Sequence, residues 1–141
     1  MPKPDYDHLS HRCLAESVTE AMGYAPNTHG HYELWTKGLA DSDRFAMVAM
    51  HWLRKFTEER HGKTLVSLMM TAEYDDEGYS EEPFACMVTL WETDDDATEE
   101  VREELYSAGK TPFEAVGRTL LKTVAYLSDS IAPPRITAPV I

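Results

Sequence analysis

Apolar residues recur at three- and four-residue spacing in several segments of the chain, and this period predicts amphipathic helices. We place the first helix at about 7–22, where Gly23 supplies the left-handed residue that closes it. The second helix covers about 43–60 and ends before Gly62. Between them, residues 24–40 mix turn formers with a short apolar run, which fits either an edge strand or an ordered loop.

The last helix carries the clearest start signal in the chain. Thr111 supplies a capping hydroxyl, Pro112 suits the first helical position, and Glu114 completes a capping box. Its predicted buried face consists of Phe113, Val116, Leu120, Val124 and Leu127. Several prolines follow, so we expect residues 131–141 to form an extended tail behind a single globular domain of residues 1–130.

Two segments alternate apolar and polar residues, which predicts strands at 65–74 and 84–93. Their polar connection contains Gly78 and would form the tip of an antiparallel hairpin. Residues 97–107 fit an acid-capped helical turn, with a third strand over 101–106 as the alternative. The predicted fold class is therefore α+β, a small antiparallel sheet packed with three to four α-helices.

The segment from Ser107 to Lys122 contains the pattern Gly-x-Thr-Pro-x-x-Ala at the start of a helix. It resembles the closing segment of a family of small phage-encoded proteins, the phage ABA-sandwich domain. The helix at 14–24, ending in Met-Gly-Tyr, and the acid-capped opening at 41–45 are similar to the upstream order of that family. The resemblance covers about residues 8–128 and implies a phage or prophage source, with helices packed around a small antiparallel sheet. It implies no activity and no catalytic residues.

Most of the net charge of −12 lies in one stretch of the chain. Between Glu73 and Glu104 there are fourteen acidic residues and one base, Arg102, whereas the rest of the chain holds eleven acids and twelve bases. A field of this sign attracts a basic partner and disfavours direct binding to nucleic acid, because phosphate contacts need clustered Lys and Arg. No apolar run approaches the roughly 20 residues of a membrane helix, and the N-terminus lacks the apolar core of a signal peptide. We expect no membrane association and a cytoplasmic location, the host cytoplasm if the chain is phage-encoded.

No catalytic motif accompanies the charge. His8, His11 and Cys13 are close in sequence but lie on different sides of the first predicted helix, so we expect no metal and no cofactor. Carboxylates in an exposed run stay ionised and solvated, which is unsuited to acid–base catalysis. Cys13 and Cys86 sit in apolar patterns and are predicted to be small core residues in a reducing compartment. The balance favours a binding protein over an enzyme.

We therefore expect a non-enzymatic acidic protein, a phage accessory or counter-defence inhibitor, that occupies a basic, nucleic-acid-binding surface of a host protein. The predicted partner-binding residues are Asp75, Asp76, Glu77, Glu81, Glu82, Trp91, Asp94, Asp95, Asp96, Glu99 and Glu100. Exposed sheet edges and the apolar tail predict a homodimer. The simpler alternative is that the acids only keep a small domain soluble.

A second hypothesis comes from a different functional class. The chain could be a small-molecule binder, or a small enzyme, with a pocket between sheet and helices that is lined by His51, Tyr74 and Trp91. A nucleotide-like anion would need a basic pocket in this acidic chain. The candidate bases are Lys37, Arg44, Arg54, Lys55 and Arg118.

Overall fold

The computed structural model describes residues 5–23, 43–70, 74–75, 78–79, 81–93 and 99–130. After a 3-10 turn at Tyr6–His8, the described helices are α1 (His11–Ala21), α2 (Asp43–Arg60) and α3 (Pro112–Ser130). The strands are β1 (Thr64–Met70), β2 (Tyr74–Asp75), β3 (Gly78–Tyr79), β4 (Phe84–Thr93) and β5 (Glu99–Gly109). The predicted α+β class is confirmed. The predictions for residues 24–40 and for the tail at 131–141 lie outside the described residues.

The main sheet has three antiparallel strands in the order β1-β4-β5. Leu68 of β1 lies opposite Cys86 of β4, which in turn lies opposite Ser107 of β5. The predicted hairpin of the first two strands is therefore confirmed, and β2 and β3 form a second, two-stranded ladder within its connection. Alternation along β4 works as predicted, because Cys86, Val88 and Leu90 are all buried.

The segment predicted as an acid-capped helical turn is part of β5, so that prediction was wrong and the alternative of a third strand is correct. From Glu103 to Gly109, alternate residues turn toward the helices, and Ser107 and Gly109 are buried whereas Glu104 and Tyr106 are exposed. Pairing with β4 decides the outcome, because a long partner strand satisfies the backbone groups of a segment whose own propensity is ambiguous.

The helices pack on one face of the sheet, with α3 in contact with α1, α2 and all three strands of the sheet. The rings of Phe45 and Phe113 stack at a centroid distance of 5.0 Å, which joins α2 to α3. Close approach of α1 depends on Gly117, because a Cβ there would lie only 3.1 Å from Val18 Cγ2. The fully buried core around these contacts includes Leu14, Val18, Met22, Leu53, Val88, Leu90, Val116 and Leu120.

Helix ends largely follow the sequence signals. Thr111 Oγ1 accepts a hydrogen bond from the Glu114 amide at 3.1 Å, which confirms the predicted cap of α3. Gly23 and Gly62 have φ of 93° and 103°, and these left-handed conformations end α1 and α2 as predicted. The start of α1 differs from the prediction, because Ser10 caps the helix through the Cys13 amide and separates it from the 3-10 turn.

Cys13 is exposed, so its prediction as a core residue was wrong, whereas Cys86 is buried as expected. The buried face of α1 is formed by Leu14, Ala15, Val18 and Thr19. A helix turns by about 100° per residue, which carries Cys13 away from this face. In the described part of the chain, no helix is long and apolar enough to span a bilayer.

Candidate functional site

In the sequence, the predicted acidic residues form two clusters that flank β4. The tip cluster precedes the strand and consists of Asp75, Asp76, Glu77, Glu81 and Glu82. The strand cluster follows it and consists of Asp94, Asp95, Asp96, Glu99 and Glu100. Because β4 has ten residues and an extended strand rises about 3.3 Å per residue, its two ends are about 30 Å apart. A single partner that contacts both Glu82 and Glu100 must therefore span the sheet.

Only part of each cluster is described. Asp76, Glu77 and residues 94–96 lie outside the described residues, and for Asp75 and Glu99 only the backbone is described. In the tip cluster, Glu81 and Glu82 are exposed, and the charge of Glu82 is matched by Arg118. The structure therefore gives Glu82 a contact within the molecule as well as its predicted place on the acidic surface.

The strand cluster continues along β5, which forms one edge of the main sheet. Glu100 and Glu104 are exposed on this strand, and Glu103 is half-buried. Glu92 of β4 is the register partner of Glu100, so two carboxylates face each other across the ladder. Like charges in this position repel and cost some stability, and they also deter other strands from pairing with the edge.

Trp91 lies on the sheet face that points away from the helices. Side chains alternate along β4, so Trp91 shares this face with Met87 and Thr89, while Val88 and Leu90 point into the core. Trp91 is half-buried, and its carbonyl lies 2.7 Å from the Nε2 of His61. The described helices leave this face of the sheet uncovered, so Trp91 is accessible as an interface residue on the side away from the core.

A polar cavity of about 260 Å³ lies where α3 passes the C-terminal half of β5. Arg118 is its most deeply buried charge, with only 9% of its side chain exposed. Its Nη1 donates to Glu82 Oε2 and to the Ala108 carbonyl, both at 2.7 Å, and its Nη2 donates to Glu114 Oε1 at 2.9 Å. The two terminal nitrogens are thus bound by acceptors from β5, from α3 and from the segment that precedes β4, whereas Nε is buried without a hydrogen-bond partner among the described residues.

Lys122 occupies the next turn of α3 on the same side of the helix. Its Nζ donates to Asp7 Oδ2 at 2.8 Å and to the Tyr106 carbonyl at 3.0 Å. Ser107 donates to the other Asp7 oxygen at 3.0 Å. Arg118 and Lys122 therefore bind the carbonyls of Ala108 and Tyr106 in the edge strand β5, and Asp7 ties the start of the described chain to Lys122 and Ser107.

The two bases of this cavity, Arg118 and Lys122, are both paired with carboxylates. Burial alone raises the pKa of Asp7, but the hydrogen bonds from Lys122 and Ser107 outweigh that effect and hold the pKa below its ordinary value. A carboxylate with a lowered pKa is a weak general base, and Ser107 is buried. Burial raises the pKa of the Cys86 thiol to about 12, opposed only in part by Thr119, so Cys86 is not an activated nucleophile.

The residues predicted to line a small-molecule pocket do not come together. His51 is exposed on α2 and Trp91 lies on the far face of the sheet, while only the backbone of Tyr74 is described. Of the candidate bases, Arg118 lines the cavity, Arg54 pairs with Glu58 on the surface of α2, and Lys37 lies outside the described residues. Arg44 and Lys55 are exposed on α2.

The sequence did not point to Asp7, Ser107 and Lys122 as cavity residues. One signal was available, because Arg118 and Lys122 are spaced four apart on a helix whose other residues in that region are mainly apolar or small. A base inside a buried run requires an acceptor from elsewhere in the chain. The acceptors themselves come from distant positions that no local pattern identifies.

Comparison of the chain with protein-family models, with curated proteins and with solved structures finds no match.

Proposed function

We propose that this chain is a non-enzymatic binding protein that occupies a basic, nucleic-acid-binding surface of another protein. The observation that carries the proposal is the concentration of charge, because residues 73–104 hold fourteen acids and one base in a chain that is otherwise nearly neutral. Carboxylates at such density imitate the charge of a phosphate backbone and speed the encounter with a groove lined by Lys and Arg.

The geometry favours the strand cluster over the tip cluster as the main contact. The strand cluster continues into the exposed Glu104 on the edge strand, whereas Glu82 of the tip cluster is drawn into an ion pair with Arg118.

The test begins with a pull-down from host lysate at low and at high salt, followed by binding kinetics with the protein whose capture depends on salt. Two variants are compared, one with the strand cluster changed to Asn and Gln and one with the tip cluster changed in the same way. Each removes five charges with little change of shape. We expect slower association and a weaker salt dependence in both, with the larger effect in the strand-cluster variant.

Competition provides the control for site identity. Nucleic acid should displace the chain from its partner if both use the same groove. If both neutralised variants bind the partner as fast as the parent protein, the acids serve solubility and the proposal fails.

The same proposal includes a phage source, the ABA-sandwich resemblance, a counter-defence role and a cytoplasmic location.

It also includes a homodimer. Among the described strands, the edge formed by β1 is the one that suits pairing with a second copy, because Thr64–Met70 carries no charge whereas β5 carries several carboxylates. Sedimentation analysis of the full chain tests the dimer directly.

The second candidate function is binding of a small ligand in the cavity beside α3, and the presence of Arg118 and Lys122 there supports it. Their charges are matched by Glu82, Glu114 and Asp7, so an added anion must displace a carboxylate. A thermal-shift series with inorganic phosphate and nucleotides tests it, with Lys122→Met as the site variant. A rise in Tm that Lys122→Met removes would favour this function.

A further inference from the structure

We infer that the sheet face opposite the helices, here called the open face, is a docking surface for a protein with an apolar centre and basic flanks. This inference rests on the proposed function, since it takes the basic character of the partner from it. It adds the surface that the partner covers.

The open face is defined by the register of the three strands, because paired residues project to the same side. Its rows are Met69 with Ala85 and Ala108, Ser67 with Met87 and Tyr106, Leu65 with Thr89 and Glu104, and Trp91 with Val101. None of these residues belongs to the core cluster under the helices.

Several large apolar side chains on the open face are exposed to solvent, which is unusual for residues of this type. Leu65, Met69, Val101 and Tyr106 are each half or more exposed, and Met87 and Trp91 are half-buried around a buried Thr89. Large exposed apolar side chains on soluble proteins are normally scattered, whereas here four lie on one three-stranded surface. Aromatic residues and methionine are also the types enriched at protein interfaces.

A bulge extends the face toward the strand cluster. The register shifts between Leu90 and Trp91, because β5 has one more residue than β4 at this point. Without the shift, Val101 would project to the helical side. With it, Val101 becomes the partner of Trp91 and adds another apolar group to the open face.

The charge on and around the open face indicates that the partner is basic. Glu104 is the acidic member of the register rows and is exposed, whereas Glu100, the partner of Glu92, projects to the other side of the sheet. Lys63, which precedes β1 near Trp91, is a basic residue at this margin. An apolar face with an exposed carboxylate, in a chain of net charge −12, complements a surface that places Lys or Arg beside an apolar patch.

A second copy of this chain fits the face less well. Stacked sheets align within about 30° or cross at about 90°. Both copies carry an exposed Glu104 on this face, so stacking the two faces adds like charges to the contact. Each copy also carries a net charge of −12. We therefore commit to a basic partner protein.

The test uses two matched methionines. Met69 on the open face is 53% exposed and Met47 on α2 is 62% exposed, so Met69→Lys and Met47→Lys change the net charge equally at similarly accessible sites. The probe is a labelled amphipathic peptide of about 18 residues with leucine on one face and lysine on its flanks. A second peptide has serine in place of leucine, and affinity is measured by fluorescence anisotropy.

We expect the leucine–lysine peptide to bind the parent chain and the serine–lysine peptide to bind at least roughly tenfold more weakly. Met69→Lys should weaken binding of the first peptide at least roughly tenfold, and Met47→Lys should leave it within about twofold. Tyr106→Lys should act as Met69→Lys does. Circular dichroism melting of each variant separates lost binding from lost folding.

Failure of the leucine–lysine peptide to bind, or equal effects of Met69→Lys and Met47→Lys, would overturn the open face and leave the acidic clusters as the contact. If Met69→Lys abolishes binding of the leucine–lysine peptide while the variant with the neutralised strand cluster binds it like the parent at every salt concentration, the docking surface is supported and the electrostatic function is contradicted. A dimer of the parent chain in sedimentation that both Met69→Lys and Tyr106→Lys dissociate would assign the face to a second copy and overturn the inference, because Tyr106 lies on β5, away from the β1 edge.

Discussion

The Nη1 atom of Arg118 lies 2.7 Å from Oε2 of Glu82, which joins the middle of α3 to the segment that precedes β4. Arg118 is nearly enclosed, whereas 43% of the Glu82 side chain is exposed. Glu114 provides a second carboxylate at 2.9 Å. A buried guanidinium requires such acceptors, because an unmatched charge in a protein interior costs several kcal/mol.

The neighbouring acids Glu81 and Glu82 therefore differ in their effect on stability. Glu82→Gln should lower the free energy of unfolding by about 1 kcal/mol, a modest value because Glu82 is partly solvated and Glu114 remains bound. Glu81→Gln removes the same charge from an exposed side chain and should change stability by less than about 0.5 kcal/mol. Urea unfolding of both variants at pH 7 measures the difference. Equal stabilities would contradict a structural role for the Arg118 contact.

Asp7 should make the fold sensitive to acid. Its pKa is lowered in the folded protein, because hydrogen bonds from Lys122 and Ser107 outweigh the effect of burial. A group of this kind stabilises the fold above its unfolded pKa of about 3.9, and the contribution is lost as pH falls through the folded value.

Asp7→Asn should accordingly be less stable than the parent chain at pH 7, and the two should converge as pH falls below about 4. Urea midpoints measured between pH 7 and pH 3 test this expectation. Glu20→Gln, an exposed change on α1, is the control and should run parallel to the parent curve. A constant difference between Asp7→Asn and the parent at every pH would show that the ionised carboxylate is not the stabilising group.

The two cysteines should react at different rates. Cys13 is exposed, whereas Cys86 is buried and its pKa is raised to about 12 by burial. A disulfide reagent at pH 8 should therefore modify Cys13 rapidly in the native protein and Cys86 only when the sheet opens. Cys13→Ser should remove the fast phase, and urea should expose the slow thiol. Two thiols reacting together in the native protein would contradict the burial of Cys86.

Local signals account for the parts of the fold that the sequence predicted well. The start of α3 depends on Thr111 and Pro112, which act within one turn, and the buried face of β4 follows from strict alternation. The closing glycines of α1 and α2 are equally local. These features need no knowledge of distant residues.

The wrong or missing predictions depend on distant contacts. β5 is acidic and lacks a strong apolar alternation, so its pairing with β4 decides that it is a strand. The partners of Arg118 and Lys122 include Glu82 and Asp7, which are 36 and 115 residues away in sequence. The open face was equally hard to foresee, because the sequence shows which residues share a face but not which face the helices cover.

Gly109 is the last residue of β5, and its lack of a side chain should determine how closely the strand approaches the start of α3. A Cβ at this position would lie 2.5 Å from the Ala115 nitrogen and 2.6 Å from Glu114 Cβ, so the strand or the helix must shift. Gly109→Ala should lower the free energy of unfolding by about 1–3 kcal/mol, as overpacking usually does. It should also move the amide NMR signals of residues 113–116.

Gly62→Ala adds the same methyl group where no atom lies within 4 Å, and its cost should come only from the left-handed backbone at φ 103°. Its NMR changes should stay near the end of α2 and the start of β1. The two variants thus separate a steric cost from a conformational one. A Gly109→Ala variant as stable as the parent, with unchanged signals at the start of α3, would mean that β5 and α3 are not in contact at this residue.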